Sequence, residues 1–319
     1  MADGALSGPL GLLFGAAGIY GAFLYYGSLQ EDVFAYKAAD GSSFKEAWFL
    51  QAIEAFANVV IGFLGMVVSG RTPGLPLKYF AVSGFTQVGA KVCTSMALAS
   101  GLSFPVATLA KSAKMAPVMA GSLLLGGANY SLREYLQVFA IIAGTVMVSM
   151  KKSKPGEPSS LLGVLYVCGS LALDGVTGGI QSRLKAECKK SGAEAKPYDF
   201  MFWTNFFMMA LAVVVALANG EAAAGVAFIA ANPDILQLVL LFALCSALGQ
   251  SFIFFTIATF GPLKVATVTT TRKIFSVLLS IFLKGHALSP LGWAGIALGS
   301  AGIAGELLPK PSKDKSKKA

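Results

Sequence analysis

Apolar residues run through the chain in long blocks separated by short breaks, and ten of these blocks approach or exceed the ~20 residues that an α-helix needs to cross a bilayer. They fall at roughly 9 to 26, 44 to 69, 77 to 100, 103 to 126, 131 to 150, 159 to 184, 199 to 219, 234 to 259, 263 to 284 and 288 to 307. The breaks include GRTPGLP at 70–76, GGANYS at 126–131, KPGEPSS at 154–160 and NPD at 232–234, where glycine, proline and asparagine interrupt helices. The stretch GEAAAGVAFIAA, 220–231, is too short to span and reads as an interfacial or loop helix. Helix is expected throughout, because a backbone in hydrocarbon has to satisfy its own hydrogen bonds. The pattern predicts an all-α integral membrane protein with ten transmembrane helices. MADGALSG lacks the basic start of a cleavable signal and PLGLLFGAAGIYGAFLYYG is long enough to span, so the first helix is expected to stay in the mature chain.

Two blocks carry cations near their middles: Lys111 and Lys114 in SFPVATLAKSAKMAPVMAGSLLL, and Arg272 and Lys273 in PLKVATVTTTRKIFSVLLSIFLKG. A charge at the centre of a membrane helix costs roughly 2.5 to 3.5 kcal/mol on translocon scales, so it is kept where it faces a polar cavity or a partner. Lys111 and Lys114 lie three apart, on one helix face, and point into the same space. The alternative is snorkelling to the surface, but Lys114 stands about 11 residues, or roughly 16 Å, from either end of its span. An anionic occupant of the interior is expected.

The two cationic blocks also resemble each other. VATLAKSAKMAPV (106–118) laid over VATVTTTRKIFSV (265–277) matches at five of thirteen positions and puts Lys114 on Lys273. This pairs the fourth span with the ninth and divides ten spans into two sets of five. An odd number per half inverts the second half in the membrane, and inverted repeats around a central site are a transporter architecture. The expected organisation is a first five-helix repeat over residues 1–152, a second over 153–308, and a basic cytosolic tail over 309–319.

Composition agrees with the membrane reading: of 319 residues, 55% are hydrophobic and 13% charged, with mean hydropathy +0.68, against roughly 25% charged in soluble domains. The net charge of +9 does not point to nucleic acid, because the basic residues lie mostly in short loops and at the C-terminus, where they set orientation. With the N-terminus cytosolic, fourteen basic residues outside the hydrophobic core fall on the cytosolic side and six on the far side, so both termini are expected in the cytosol. Lys151, Lys152 and Lys154 run against that bias. Asn129 begins the only glycosylation sequon and is expected to be unmodified on the cytosolic side. Cys93, Cys168, Cys188 and Cys245 show no pairing pattern, and no disulfide is expected.

Clustered cations suit clustered negative charge, and phosphate groups fit better than one carboxylate. Arg272 can make forked contacts to phosphate while lysines act as point charges. Thr271, with Thr269 and Thr270, either adds hydroxyl donors or bonds back to its own helix. Tyr26, Gln30, Asn205, Gln250 and Ser251 extend the expected pocket, and rings such as Phe202 and Phe252 either stack on a base or sugar or pack against neighbouring helices. Asp174 and Glu54 are expected to balance charge. Glu31 either closes a gate against a luminal lysine or is a solvated loop acid. No metal or other cofactor is implied.

YYGSLQE (25–31), LAKSAKMAPVM (109–119), LALDGVTGG (171–179), ALGQSFIFF (247–255), FGPL (260–263) and TTTRKIFSVLLS (269–280) resemble the motifs of the nucleotide-sugar transporter family, in its endoplasmic-reticulum UDP-galactose/UDP-glucose branch. They occur in order over nearly the whole chain. The resemblance implies the ten-helix drug/metabolite transporter fold, alternating access, and exchange of a cytosolic UDP-sugar for luminal UMP. It also implies that Lys111, Lys114, Arg272 and Lys273 contact the phosphates. Relatives in this branch leave a second reading, an exchanger of ATP for ADP, which four cations also suit. A membrane-embedded glycosyltransferase-type enzyme is a third, but it would need acids or histidines near the surface, and the sole histidine, His286, lies in a short KGHAL turn. At the C-terminus, Lys315 and Lys317 fit a K-x-K-x-x retrieval signal read by coat proteins, or a basic tail attracted to anionic lipid. The expected partners are thus a nucleotide or nucleotide sugar, the bilayer and coat proteins, in the endoplasmic-reticulum membrane.

Overall fold

Prolines open the helices and glycines end them, as their backbones dictate: proline in a first turn gives up an N–H that has no helical partner, and glycine takes a positive φ without a Cβ clash. The structure, a computed structural model, describes residues 9–113, 131–149, 160–190, 192–193, 195–260, 262–285 and 288–305. Its described helices are α1 Pro9–Ala35, α2 Ala47–Ser69, α3 Leu77–Ala99, α4 Phe104–Ser112, α5 Leu132–Ser149, α6 Ser160–Lys190, α7 Pro197–Ala218, α8 Glu221–Ala231, α9 Pro233–Phe260, α10 Pro262–Leu283 and α11 Pro290–Gly305. Pro197, Pro233, Pro262 and Pro290 each start a helix. Gly70, with φ 80°, ends α2, and Gly220, with φ 83°, turns the chain from α7 into α8.

A helix stands in each of the ten stretches expected to span, and α8 is the short helix expected at 220–231. The fourth stretch is described as far as Ala113. Lys114, Asn129, the Lys151, Lys152 and Lys154 cluster, and the tail with Lys315 and Lys317 lie outside the described residues. Two helices run further than their apolar blocks: α1 reaches Ala35 and α6 reaches Lys190, because QEDVFA and RLKAECKK contain no glycine or proline to stop a helix that has left the apolar layer.

Among the described residues, five helices are long and apolar enough to cross a membrane: α1, α2, α7, and the Leu161–Gln181 and Pro233–Thr256 parts of α6 and α9. α3 and α10 are as long, at 23 and 22 residues, but carry Lys91, Arg272 and Lys273 in mid-helix. The solvation pattern is inside-out. Leu13, Phe63, Val68, Phe139, Leu165, Leu217 and Phe282 face outward, while Gln51, Glu54, Asn58, Ser95, Ser170 and Asn205 are buried. Apolar outside and polar inside is the arrangement a hydrocarbon solvent selects, and the chain is a multi-pass membrane protein.

The principal packing is between helices of opposite halves. α1 lies along α9, α2 along α7, α3 along α6, α4 along α10 and α5 along α11, while α3 also meets α7 and α2 meets α9. Small residues allow the closest approach: a Cβ on Gly144 of α5 would come within 2.5 Å of the Gly295 carbonyl oxygen and 2.7 Å of the Gly299 nitrogen of α11.

Both ends of the bundle are tied. At the end where α2 begins, the Glu221 carboxylate accepts hydrogen bonds from the backbone N–H groups of Trp48 (2.6 Å) and Phe49 (3.3 Å), donors left over by the first turn of α2. Phe228 of α8 packs edge-on against Tyr36 and Phe44, so the α7–α9 connection is fastened to the α1–α2 connection. At the opposite end Asp199, fully buried, accepts from the N–H groups of Thr72 and Lys196, each at 3.2 Å, and the Lys196 ammonium donates to the Ser69 carbonyl at 2.7 Å.

Candidate functional site

Helical spacing puts Phe23, Tyr26 and Gln30 on one face of α1, and Gln87, Lys91 and Thr94 on one face of α3. These faces, with α4, α6 and α10, enclose a cavity of about 290 Å³ lined by Gln30, Lys91, Thr94, Phe104, Thr108, Lys111, Asp174, Arg272, Lys273 and Ser276, among others. A second cavity, about 390 Å³, lies toward α2, α7 and α9 and is lined by Glu54, Gln87, Gln181, Phe200, Thr204, Asn205, Ser246, Gln250 and Phe254, among others. Phe23, Tyr26, Lys91 and Arg272 line both, so the two are compartments of one site meeting at a neck.

Among the described lining residues there are four cations, Lys91, Lys111, Arg272 and Lys273, and two carboxylates, Glu54 and Asp174. Each carboxylate holds one lysine. The Lys111 ammonium lies 3.4 Å from Asp174, with both side chains about a quarter exposed. Lys91 pairs with Glu54 at 2.5 Å, and Glu54 is buried. The same Glu54 oxygen accepts from the Ser246 hydroxyl at 2.6 Å and the Tyr26 hydroxyl at 3.2 Å, and Asn58 donates to Ser246 at 3.1 Å. Tyr26 is aimed by its ring, stacked on Phe242 with centroids 4.4 Å apart.

Arg272 is satisfied differently. Its guanidinium lies over the Phe23 ring at 5.0 Å and donates a long bond of 3.5 Å to Ser276. Its Nε is buried without a hydrogen-bond partner. A guanidinium presents five donors, and burying one unmet is costly, so the site lacks an acceptor at this place. Asn205 donates to Gln250 at 3.2 Å, while its Oδ1 and the Thr204 hydroxyl are also buried without partners.

Of the residues expected from sequence, Lys111, Arg272, Lys273, Tyr26, Gln30, Asn205, Gln250 and Asp174 come together on this site. Thr271 and Ser251 are not among its lining residues: Thr271 accepts from Tyr20 at 2.6 Å and donates to the Val268 carbonyl, and Ser251 donates to the Ala247 carbonyl of its own helix. Glu31 accepts from Ser280 at 2.7 Å, and Lys284 pairs with the neighbouring Asp32. Phe202 and Phe252 pack against other aromatic rings. Sequence reasoning passed over Lys91, Gln87, Gln181, Thr94 and Thr108. The available signal was a lysine in mid-span with glutamine and threonine on the same face, as plain in α3 as in α4.

The UAA transporter family matches residues 11–308 of the chain. Solute carrier family 35 member B1 of Dictyostelium discoideum is 33% identical over 93% of this chain and 76% of its own length. UDP-galactose/UDP-glucose transporter 3 of Arabidopsis thaliana is 32% identical over 97% of this chain and 96% of its own length. Solute carrier family 35 member B1 of Mus musculus is 33% identical over 90% of this chain and 89% of its own length.

Proposed function

The chain belongs to the UAA transporter family, and on that premise we propose that it is a nucleotide-sugar antiporter, moving UDP-galactose or UDP-glucose from the cytosol into the endoplasmic-reticulum lumen in exchange for UMP. The observation that carries this reading is the convergence of Lys91, Lys111, Arg272 and Lys273 on one interior site with two carboxylates. Four cations against two acids leave the described lining residues with a net positive charge, which suits an anionic nucleotide such as a UDP-hexose or UMP. The name of the Arabidopsis thaliana relative points to the same substrate class.

Lys111, Lys114, Arg272 and Lys273 hold the phosphates, Arg272 with its fork and the lysines as point charges. Tyr26, Gln30, Asn205 and Gln250 serve base and sugar, and the unmet Asn205 oxygen offers an acceptor to a base N–H. Thr271 and Ser251, bonded elsewhere, act in support at most. The fold is read as two inverted five-helix repeats, residues 1–152 and 153–308. The helix pairing supports this, because exchanging each span with the one five places on turns α1–α9 into α3–α6, turns α3–α7 into α2–α9, and leaves α2–α7, α4–α10 and α5–α11 in place. The two halves rock around the fixed site, and a carrier emptied of its anion buries a net positive charge, which slows its return and enforces exchange. Both termini are cytosolic, and the 309–319 tail with Lys315 and Lys317 is read by coat proteins that return the protein to the endoplasmic reticulum.

Counterflow in proteoliposomes tests the proposal. Vesicles preloaded with UMP are expected to take up labelled UDP-galactose or UDP-glucose. Uptake of ATP into ADP-loaded vesicles, with UDP-sugars inert, would make the protein an ATP/ADP exchanger, and turnover of a UDP-sugar in detergent would make it an enzyme.

A further inference from the structure

Glu54 is a negative charge inside an anion site, where by Coulomb repulsion it works against the ligand. Its place is nevertheless firmly built. Its side chain is 1% exposed, and one oxygen gathers the Lys91 ammonium, the Ser246 hydroxyl and the Tyr26 hydroxyl from three other helices. Asn58 fixes Ser246 in turn. The Lys111–Asp174 pair is longer, and both its members are partly exposed. Lys91, by contrast, stands at the neck shared by the two compartments, so a ligand filling both passes alongside the Glu54 pair.

A pair so placed has a consequence for selectivity. Glu54 subtracts one unit from the positive charge of the site, whatever the remaining cations contribute. In a site of low dielectric each unit is felt across the cavity, so it weighs on a ligand in proportion to that ligand's own charge. We propose that Glu54 is a specificity-determining residue that sets the charge class of the substrate: by offsetting the charge of Lys91 it favours dianionic nucleotides over those with three or four negative charges. The proposal rests on the nucleotide-carrier reading and adds to it the reason a site with this many cations would not prefer triphosphates. Glu54 acts through Lys91 and the field of the site, and is a positioning residue.

The test keeps the base constant and varies charge. Labelled UDP-glucose bound to the purified full-length protein is competed with UMP, UDP and UTP. Wild-type protein is expected to rank UMP ahead of UDP and UTP. Glu54→Gln keeps the shape and the Ser246 contact but removes the charge, and is expected to move the ranking toward UTP by on the order of tenfold per added ligand charge. Glu54→Asp is expected to keep the wild-type order. The double variant Glu54→Gln with Lys91→Gln, which removes one charge of each sign, is expected to return the order to wild type. If Glu54 were merely structural, Glu54→Gln would weaken all competitors equally and the double variant would bind more weakly still; that outcome overturns the proposal. If Glu54→Gln is not monodisperse, Lys91→Gln carries the test with opposite sign, widening the affinity ratio of UMP over UTP, and an unchanged ratio there also overturns the proposal. Wild-type protein that binds no uridine nucleotide overturns the functional reading beneath it, and this inference with it.

Discussion

Arg272 shows what the site still needs. A buried Nε without a partner, a ring beneath the guanidinium and a long bond to Ser276 leave its forked donors facing the cavity. Arg272→Lys keeps the charge and loses the fork, and is expected to lower counterflow by about ten- to a hundredfold in protein that still elutes as one species. Lys273→Ala is expected to abolish exchange under the same control, and wild-type rates in either variant would remove the site assignment. Lys111, Arg272 and Lys273 were legible in the sequence because a charge inside an apolar block is conspicuous. The partnership of Lys91 with Glu54 was not, since it spans 37 residues and two helices and no spacing along one helix reveals it. The neighbour of Glu31 tells the same story: Lys284 meets Asp32 across 252 residues.

Helices are legible where hydrocarbon thickness fixes their length, which is why each apolar block contains one. Their partners are not, because a side chain facing lipid and one facing another helix are equally apolar. The ends of α1 and α6 also escaped, since polar helix-forming residues continue a helix beyond the bilayer. The α5–α11 contact depends on backbone approach at Gly144 and Gly299. Gly144→Leu is expected to part the two helices and lower the thermal unfolding midpoint in detergent, read by fluorescence-monitored melting; a midpoint equal to wild type would mean that the pair tolerates separation. Asp199→Ala removes the acceptor for two backbone N–H groups at the start of α7 and in the α2–α3 connection. It is expected to cost about 1 to 3 kcal/mol, seen as a lower midpoint with the ranking of nucleotide ligands unchanged.

For the molecule as a whole, the second compartment reaches Phe200 in the first turn of α7, Phe254 near the end of α9, and Gln181, all toward the end where α1 begins. The opposite end carries the Asp32–Lys284 and Glu31–Ser280 contacts between α1 and α10. Under the proposed topology this is a cytosol-facing arrangement. With the four cysteines replaced by serine, Gln181→Cys is expected to react with a membrane-impermeant maleimide from the cytosolic side and to be protected by substrate. Ser280→Cys is expected to react slowly from either side, and the reverse pattern would mean that the far side is the open one. The Glu221 carboxylate bears on the rocking proposed above. By accepting from the first turn of α2, it ties the α7–α9 connection to the start of α2, so the proposed motion would carry the two together. Under the proposed alternating access, the α1–α10 rim, latched by Lys284 to Asp32 and by Ser280 to Glu31, is the edge that would have to part for the other side to open.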